Sequence, residues 1–355
     1  MASIRPLERT LAENVDWNKA RINFLAKFLI ALIQVCSVNL TEIAAVFPGR
    51  AKPASHYKRI QRFLRGFQIS YGGIAVLLVS LIGVPRPWVL TLDRTNWQLG
   101  KTPLNILLLG IVYKGVAIPV LWTILEKKGN SNTEERIALM REFVALLGTD
   151  SILYLCADRE FIGKTWFQWL MKKRLDFRIR IRQNTQRTNG RGELVAARRL
   201  FRGQALATAL VIEKPRRLWG LELWVSGMRL SGGDYLIVVA SSYSASAIDD
   251  YAKRWEIETL FGCLKSRGFR LEDTHVIEAE RLKKLIALLA LAFCWAHIVG
   301  EWLSQQKALK TKKHGRLAKS IFRYGLNHLR RILCNLSDRL QQIAFRQVIQ
   351  LLSCT

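Results

Sequence analysis

The sequence predicts a mixed α/β protein, with a sheet core that is interrupted by a β-rich insertion and flanked by helical regions. Short apolar runs of strand character begin near residue 86, and segments with helical spacing separate some of them. Polar, turn-rich residues 183–193 then precede a second group of strand-like segments. Strands and helices in this order form layers, with helices packed on a sheet.

Residues 1–85 are predicted to be a helical DNA-binding domain. ARINFLAKFLIALIQVCSV (20–38) has helical spacing, NLTEIAAVFPG (39–49) is a short helix with Thr41 as its candidate cap, and SHYKRIQRFLRGF (55–67) is a basic helix. A short helix, a turn and a basic helix fit a helix-turn-helix, for which a plain helical bundle is the alternative. The candidate DNA-contacting residues are Lys58, Arg59, Arg62 and Arg65.

Residues 86–182 are predicted to form the first part of the core, with three strands, a helix, a strand, a helix and a strand. The helix NTEERIALMREFVALLG (132–148) ends at a Gly, as helices commonly do. The predicted strands lie in residues 87–97, where the strand ends at Asp93, 104–114, 116–126, 151–161, where the strand ends at Asp158, and 175–182.

The remaining chain is predicted to be an insertion, the rest of the core and a tail. Residues 183–242 form the β-rich insertion, and its last segment, DYLIVVASS, returns the chain to the main sheet. Residues 243–305 complete the core with a helix at 251–269 and a buried helix at 281–303. Residues 306–355 form a basic helical C-terminal region.

The net charge of +28 over 355 residues is unevenly distributed. Residues 50–65 hold six Lys or Arg and no acid, residues 178–217 hold eleven against two acids, and residues 306–355 hold eleven against one. Separate basic blocks favour a polyanionic partner, because each cation at a phosphate releases condensed counterions. DNA or RNA is the predicted partner, and a ribosome-associated protein or a membrane-surface binder is the alternative.

The cysteines and the hydropathy of the sequence indicate which class of protein this is. The six cysteines form no CxxC pair and no signal peptide is apparent, so we expect reduced thiols in the cytoplasm and no structural zinc site. The longest uncharged apolar run, Leu285 to Ala296, has twelve residues, which suits a buried helix better than a membrane span. No membrane partner is expected.

Two aspartates follow runs of buried-strand residues, Asp93 after WVLTL and Asp158 after ILYLCA. Such an acid leaves the core at the carboxyl end of the sheet, where α/β proteins bind ligands, although a strand-ending Asp also caps turns. Glu258 adds a carboxylate from the helix at 251–269. Three such acids can hold two Mg²⁺ ions, or Mn²⁺ in their place, and so act on a phosphodiester. The five histidines show no metal-ligand spacing.

One stripe of YAKRWEIETLFGCLKSRGF (251–269) is polar and aromatic. On a continuous helix Tyr251, Arg254, Glu258 and Lys265 fall within about 60° of one another. Apolar residues fill the adjoining arc, so the stripe borders the buried face. A carboxylate between two cations in this position is either a solvated salt-bridge face or one wall of a reaction site.

These four residues stand as Y-x2-R-x3-E-x6-K, which resembles the YREK signature of insertion-sequence DDE transposases of the Tn5 and Tn10 type, an IS4-like family. LTLDRTNW around Asp93 and ADREF around Asp158 resemble the first and second acidic motifs of that family. The resemblance covers about residues 87–300 and includes the family's β-rich insertion between the second and third acids.

The resemblance implies an RNase H-like core that binds terminal inverted repeats, cuts at them through a hairpin intermediate and joins the ends to target DNA. It also implies a homodimer in the synaptic complex, in the bacterial cytoplasm and on the nucleoid when bound to DNA. A catalytically degenerate binder of the same repeats and a structure-selective nuclease are the alternatives. The implied catalytic and metal-binding residues are Asp93, Asp158 and Glu258, and those at the flanking phosphates are Tyr251, Arg254 and Lys265.

In this family an aromatic residue on the strand that returns from the insertion stacks on a base flipped out of the DNA. By position before LIVVAS the candidate is Tyr235, where close relatives carry Trp. Trp219 and Trp224 are rivals, and packing within a small β core is the alternative role.

Several further residues have two interpretations. Asn96 and Trp97 either approach DNA or fix a turn, and Arg159 either contacts a phosphate or pairs with Glu160. His275 in LEDTH resembles a recurrent family motif, for which a structural histidine is the alternative. The basic C-terminal residues belong either to DNA contacts or to dimer contacts.

Overall fold

The computed structural model describes residues 4–313 and 317–353, and it confirms the mixed α/β fold class. The helices are α1 (Arg5–Asn14), α2 (Lys19–Val35), α3 (Leu40–Val46), α4 (Pro53–Gly66), α5 (Tyr71–Ile82), α6 (Thr133–Leu147), α7 (Lys164–Lys172), α8 (Ala247–Ala252), α9 (Trp255–Leu264), α10 (Ala279–Gln306), α11 (Ile321–Cys334) and α12 (Arg339–Gln350). The strands are β1 (Trp88–Leu99), β2 (Thr102–Tyr113), β3 (Val116–Ile124), β4 (Ile152–Ala157), β5 (Phe177–Ile181), β6 (Gln186–Thr188), β7 (Leu194–Ala196), β8 (Ala209–Val211), β9 (Arg216–Leu218), β10 (Leu221–Arg229) and β11 (Tyr235–Ala240).

The chain divides into two compact units. The helical unit contains Met1–Gly83, Asn96–Leu104 and Leu260–Thr355, and the sheet unit contains Val84–Thr95 and Asn105–Thr259. The finer division into five regions, with boundaries after residues 85, 182, 242 and 305, stays a prediction.

The sheet has the strand order β3-β2-β1-β4-β5-β11-β10-β9-β6-β7, and β8 pairs with β10. Strands β1, β4 and β5 are parallel, whereas β2 and β3 form an antiparallel hairpin. Strand β11 pairs antiparallel with β5, which confirms that the last segment of the insertion returns to the main sheet. Strand β4 (ILYLCA) lies between β1 and β5, and its last four residues are buried.

Helix α10 lies in the core of the helical unit, with buried residues along most of its length. It is long and apolar enough to cross a membrane, with a mean hydropathy of 1.8 in its most apolar window, but 89% of that window is buried inside the protein. Two bent helix pairs, α2 with α3 and α4 with α5, pass the same test only if each pair is counted as one span. The buried ammonium of Lys284 donates to the carbonyl of Leu64 at 3.1 Å, near the C-terminus of α4, where a cation is favoured.

Helix α11 packs on α10 through two glycines. A Cβ at Gly325 would collide with the carbonyl oxygen of Ala296, and a Cβ at Gly300 would collide with that of Ile321. The two helix backbones therefore approach more closely than any larger side chain at these positions allows.

Three details differ from the sequence-based expectations. Helix α3 is capped by Asn39, whose side chain accepts a hydrogen bond from the backbone of Thr41, so the assignment of Thr41 as the cap was wrong. Strand β1 does not end at Asp93 but continues to Leu99. The predicted helix at 251–269 is two helices, because Lys253 and Arg254 form a turn between α8 and α9.

Candidate active site

The two aspartates of the predicted site lie next to each other on adjacent parallel strands. The last paired residues of β1 and β4 are Leu92 and Ala157, so Asp93 and Asp158 follow at equivalent positions. Strand β4 ends there, whereas β1 continues with less burial beyond Leu92. The two carboxylates therefore lie side by side where β4 ends, although Asp93 is still within β1.

Helices α8 and α9 bring three further polar side chains to these aspartates. The backbone N–H of Arg254 donates to the carbonyl of Tyr251 at 2.9 Å in the turn between the helices. The spacing of three residues still places these side chains together, because Arg254 Nε donates to the Tyr251 hydroxyl at 3.1 Å. Glu258, one helical turn later, accepts from Arg254 Nη2 at 2.7 Å.

Hydrogen bonds connect all five of these residues into one cluster. Arg254 Nη1 donates to Asp93 Oδ2 at 3.2 Å, and the Tyr251 hydroxyl donates to Asp158 Oδ1 at 3.2 Å. Each aspartate is thus bound by one residue of the helical stripe, and Glu258 joins the cluster through Arg254. The sheet unit therefore brings together both aspartates and three of the four stripe residues.

Burial raises the pKa of Asp93 to about 7, although the backbone N–H of Arg94 and the cation of Arg254 oppose this and the nearby Glu160 and Asp158 add to it. Burial also raises the pKa of Tyr251 to about 12, so its hydroxyl stays protonated and able to donate to Asp158. Burial alone would lower the pKa of Arg254, but Tyr251, Glu258 and both aspartates together raise it. The guanidinium is therefore the fixed positive charge of the cluster.

A second layer of contacts holds the segments that follow the aspartates. Arg94 pairs with both carboxylate oxygens of Glu160, each at 3.2 Å, and donates to Asn105 Oδ1 at 3.1 Å. Arg136 Nη2 donates to the carbonyl of Glu160 at 2.9 Å. Glu160 therefore pairs with Arg94, a partner that the sequence did not indicate.

The donor chemistry of the three acids fits the divalent metal that the sequence resemblance implies. Carboxylate oxygens are the ligands that Mg²⁺ prefers, and burial raises the pKa of Asp93, which a nearby divalent cation would lower. Within residues 4–313 and 317–353, however, no three His, Cys, Asp or Glu side chains are grouped as a metal-binding set. Arg254 holds Asp93 and Glu258 instead.

Lys265, the fourth residue of the stripe, belongs to the helical unit. Its ammonium pairs with Glu272 Oε1 at 2.8 Å and lies 3.5 Å from the carbonyl of Asn96 and 5.4 Å from the centre of the Trp97 ring. Asn96 and Trp97 therefore help to hold Lys265. His275, in the same unit, is exposed and lines a cavity of about 110 Å³.

Tyr235 lines an open cavity of about 270 Å³ in the sheet unit, with arginines from β5 and the residue after it, from the β4–α7 connection and from the 3-10 turn Ala197–Phe201. The arginines are Arg159, Arg180, Arg182 and Arg198. The two rival aromatics each pack on another ring, Trp219 on Phe167 at 5.4 Å and Trp224 on Tyr243 at 5.2 Å. This geometry favours Tyr235 as the aromatic that faces a basic cavity.

The basic residues of α4 do not all face the same environment. Lys58, Arg62 and Arg65 are exposed, as DNA-contacting residues should be. Arg59 is half-buried, with its guanidinium 5.9 Å from the centre of the Phe24 ring and 3.4 Å from Asn23 Oδ1. Arg59 therefore contributes to packing between α2 and α4.

Two residues of α9 were missed in the sequence. Trp255 is 57% exposed, with the guanidinium of Arg254 4.8 Å from its ring centre, so a flat aromatic surface adjoins the acidic cluster. Burial raises the pKa of Glu256 to about 7, and its carboxylate accepts hydrogen bonds from the backbone N–H groups of Tyr113 and Gly115 in the β2–β3 turn. The apolar periodicity of the sequence did not indicate the contacts of either residue, because both sets of contacts depend on the break between α8 and α9.

Fold and site together define an α/β protein in which two aspartates from adjacent parallel strands and a helical glutamate belong to one hydrogen-bonded cluster. The sequence family described as the Transposase DDE domain matches residues 86–295. Among solved structures, the chain is similar to the piggyBac transposase synaptic complex with hairpin DNA, with a TM-score of 0.48 and 12% identity over 98% of this chain and 82% of that chain. No curated protein sequence matches the chain.

Because the matched region is more than half of the chain, the protein belongs to the DDE transposase family. Membership implies nuclease and transesterase activity on DNA, and members of this family generally use divalent metal ions. The resemblance drawn from the acidic motifs and the YREK spacing is thereby confirmed at the level of the transposase family.

Proposed function

We propose that the chain is the cut-and-paste transposase of an insertion sequence and that Asp93, Asp158 and Glu258 are its catalytic triad. The observation that supports this assignment most directly is the single hydrogen-bonded cluster of the three acids around Arg254 and Tyr251. A plain salt-bridged helix face would not require two aspartates from adjacent parallel strands to meet it.

The same three carboxylates would hold two Mg²⁺ ions, or Mn²⁺ in their place. When bound, the ions supply activation of the attacking oxygen and neutralisation of the charge on the leaving oxygen. Arg254 would then release Asp93 and Glu258 and direct its planar fork at a phosphate of the cleaved strand. Tyr251 keeps its proton and so remains a donor, either to Asp158 or to the DNA.

The reaction begins when water attacks the phosphodiester at the end of the element, which breaks the bond to the 3′ oxygen and frees a 3′-OH. That hydroxyl attacks the opposite strand, forming a hairpin on the element end and releasing the flanking DNA. Water reopens the hairpin, and the restored 3′-OH attacks a target phosphodiester. Each step is an in-line displacement at phosphorus, so one cluster of acids serves all of them.

DNA recognition is assigned to the basic residues outside the cluster. Lys58, Arg62 and Arg65 on α4 would bind the terminal inverted repeats, with Arg59 stabilising that helix. Lys265 would contact a phosphate near the end of the element. Tyr235, in the arginine-lined cavity, would stack on a base flipped out of the hairpin.

The protein would act as a homodimer that holds two element ends in a synaptic complex. Its working location would be the bacterial cytoplasm, on the nucleoid while bound to DNA. Both statements extend the transposase assignment and depend on it.

Incubation with DNA that carries the ends of the element, a target plasmid and Mg²⁺ tests the proposal on a denaturing gel. Nicks at the ends, hairpins and joined products are the expected result. Nicking without joining would indicate a structure-selective nuclease, and specific binding without nicking would indicate a degenerate DNA-binding copy. Either of these outcomes contradicts the proposal.

A further inference from the structure

Asp250, the residue immediately before Tyr251, is held by several side chains of the sheet unit. The hydroxyl donors to its carboxylate are Tyr154 at 3.3 Å, Ser244 at 2.8 Å and Ser246 at 3.2 Å. The guanidinium Nε of Arg178 lies 3.5 Å from Asp250 Oδ2, at a distance that provides charge compensation more than a hydrogen bond. With its side chain only 17% exposed, this carboxylate needs such compensation to remain charged.

The backbone of Asp250 also contacts β4, the strand that Asp158 follows. Cys156 Sγ donates to the carbonyl of Asp250 at 3.3 Å. Cys156 and Tyr154 lie on one face of β4, two residues apart, and Asp158 follows by two more. Two of the contacts of Asp250, those from Tyr154 and Cys156, therefore come from the strand that leads to Asp158, the acceptor of the Tyr251 hydroxyl.

Tyr251 depends on this anchor for its position. Its ring is buried against Val238 and Ile248, and its hydroxyl both donates to Asp158 and accepts from Arg254. Helix α8 is only six residues long and has no side-chain cap, so its own hydrogen bonds fix its orientation weakly. The side-chain contacts of Asp250 supply the missing restraint.

We propose that Asp250 is a positioning residue: its contacts with Tyr154, Arg178 and the two serines fix Tyr251 and thereby orient Asp158 and Arg254 for DNA cleavage. The catalytic part of this statement rests on the proposed function. The placement of Tyr251 is a property of the folded chain and can be measured without metal or DNA.

The test compares Asp250→Asn, which keeps the shape and removes the charge, with Asp249→Asn, which removes an exposed charge from the neighbouring position. Tyr154→Phe removes a single hydroxyl donor to Asp250 and serves if Asp250→Asn does not fold. Asp250→Glu keeps the charge and tests partial rescue. Thermal unfolding of each variant establishes that it is folded before the other measurements.

The first measurement is NMR of the protein with ¹³C-labelled tyrosine rings, without metal or DNA. The signal of Tyr251 is assigned by its loss in Tyr251→Phe. We expect that signal to shift or broaden in Asp250→Asn and Tyr154→Phe and to be unchanged in Asp249→Asn. An unchanged Tyr251 signal in both of the first two variants overturns the proposal.

The second measurement is the nicking rate with Mg²⁺ and saturating element-end DNA. We expect Asp250→Asn to nick roughly 10- to 100-fold more slowly than the unaltered protein, because small misplacements of catalytic groups slow a reaction by about this factor. Its affinity for element-end DNA, measured without metal, should be unchanged. In a folded double variant with Tyr251→Phe, the two losses should not multiply, since both act through Tyr251. Multiplying losses, or an equal loss in Asp249→Asn, would contradict positioning.

Failure of the proposed function gives a different pattern. If the unaltered protein does not nick element ends at all, the transposase assignment is at fault, while the tyrosine spectra still decide whether Asp250 positions Tyr251.

Discussion

Arg254 Nη1 donates a hydrogen bond to Asp93 Oδ2 at 3.2 Å, and Arg254 Nη2 donates one to Glu258 Oε1 at 2.7 Å. Two acids of the candidate triad are therefore bridged by a cation that the protein itself supplies. Arg254 is buried, and the raised pKa of Asp93 indicates that burial outweighs this one counter-charge. A divalent ion bound by the same carboxylates would have to compete with Arg254 for them.

Removal of the Arg254 cation should tighten metal binding while it slows the reaction. We expect Arg254→Ala to bind Mn²⁺ roughly tenfold more tightly than the unaltered protein in the absence of DNA, because the carboxylates lose their competing counter-charge. Titration of free Mn²⁺ by electron paramagnetic resonance measures this. Lys253→Ala, which removes an exposed cation from the same turn, is the control. Equal affinity in Arg254→Ala and the unaltered protein would show that the bridge does not compete with metal.

Loss of any single acid of the triad should abolish nicking and joining but leave end binding largely intact. The variants are Asp93→Ala, Asp158→Ala and Glu258→Ala, and the reason is that carboxylates bind the metal and do not themselves attract phosphates. Denaturing gels measure the products and mobility shifts measure the binding. A variant that nicks at close to the unaltered rate removes its residue from the triad.

Asp93 should make stability depend on pH in the direction opposite to an acid whose pKa is lowered by folding. Because burial raises the pKa of Asp93 from 3.8 to about 7, its contribution to stability is fully present below about pH 4 and is lost as the pH rises through 7. Without metal, Asp93→Asn should therefore gain stability relative to the unaltered protein between about pH 4 and 8, by up to roughly 4 kcal/mol.

Urea unfolding in the presence of a chelator, at several pH values, measures this gain. Asp249→Asn, at an exposed position, should show no such trend. A difference between Asp93→Asn and the unaltered protein that is constant with pH would mean that Asp93 titrates normally.

Binding to the element ends should weaken steeply with salt and should depend on three residues of α4. Six to ten phosphate contacts correspond to a loss of about 10³ to 10⁵ in affinity between about 50 and 200 mM salt. Alanine at Lys58, Arg62 or Arg65 should each reduce the salt slope by about one. Arg59→Ala should instead lower the melting temperature, because Arg59 packs on Phe24. A flat salt dependence would exclude these residues from the DNA interface.

The close approach of α10 and α11 should not tolerate a methyl group. Gly325→Ala would push its Cβ into the carbonyl of Ala296, so we expect a loss of at least about 2 kcal/mol of stability. Gly66→Ala, where nothing lies near the added Cβ, should be close to neutral. Calorimetry of both variants tests this, and equal melting temperatures would show that the helices separate easily.

The sequence by itself determined those helices and strands whose hydrophobic periodicity is set by neighbouring residues in the chain. Apolar runs located the strands of the core, and Asp93 and Asp158 were recognised because each follows such a run. The step of three between Tyr251 and Arg254, and of four between Arg254 and Glu258, was enough to place these side chains together. Local spacing settles such questions because it fixes which neighbours share a face.

Only the tertiary structure decided which partners these groups have. The turn at Lys253 and Arg254 is invisible to a helical period, yet it aims Arg254 at Asp93, 161 residues away in the chain. The pairing of Glu160 with Arg94, of Lys265 with Glu272 and of Asp250 with Arg178 likewise depends on which strands and helices pack together. Burial sets the pKa of Asp93 for the same reason: desolvation comes from the whole fold around a carboxylate, and no short stretch of sequence specifies it.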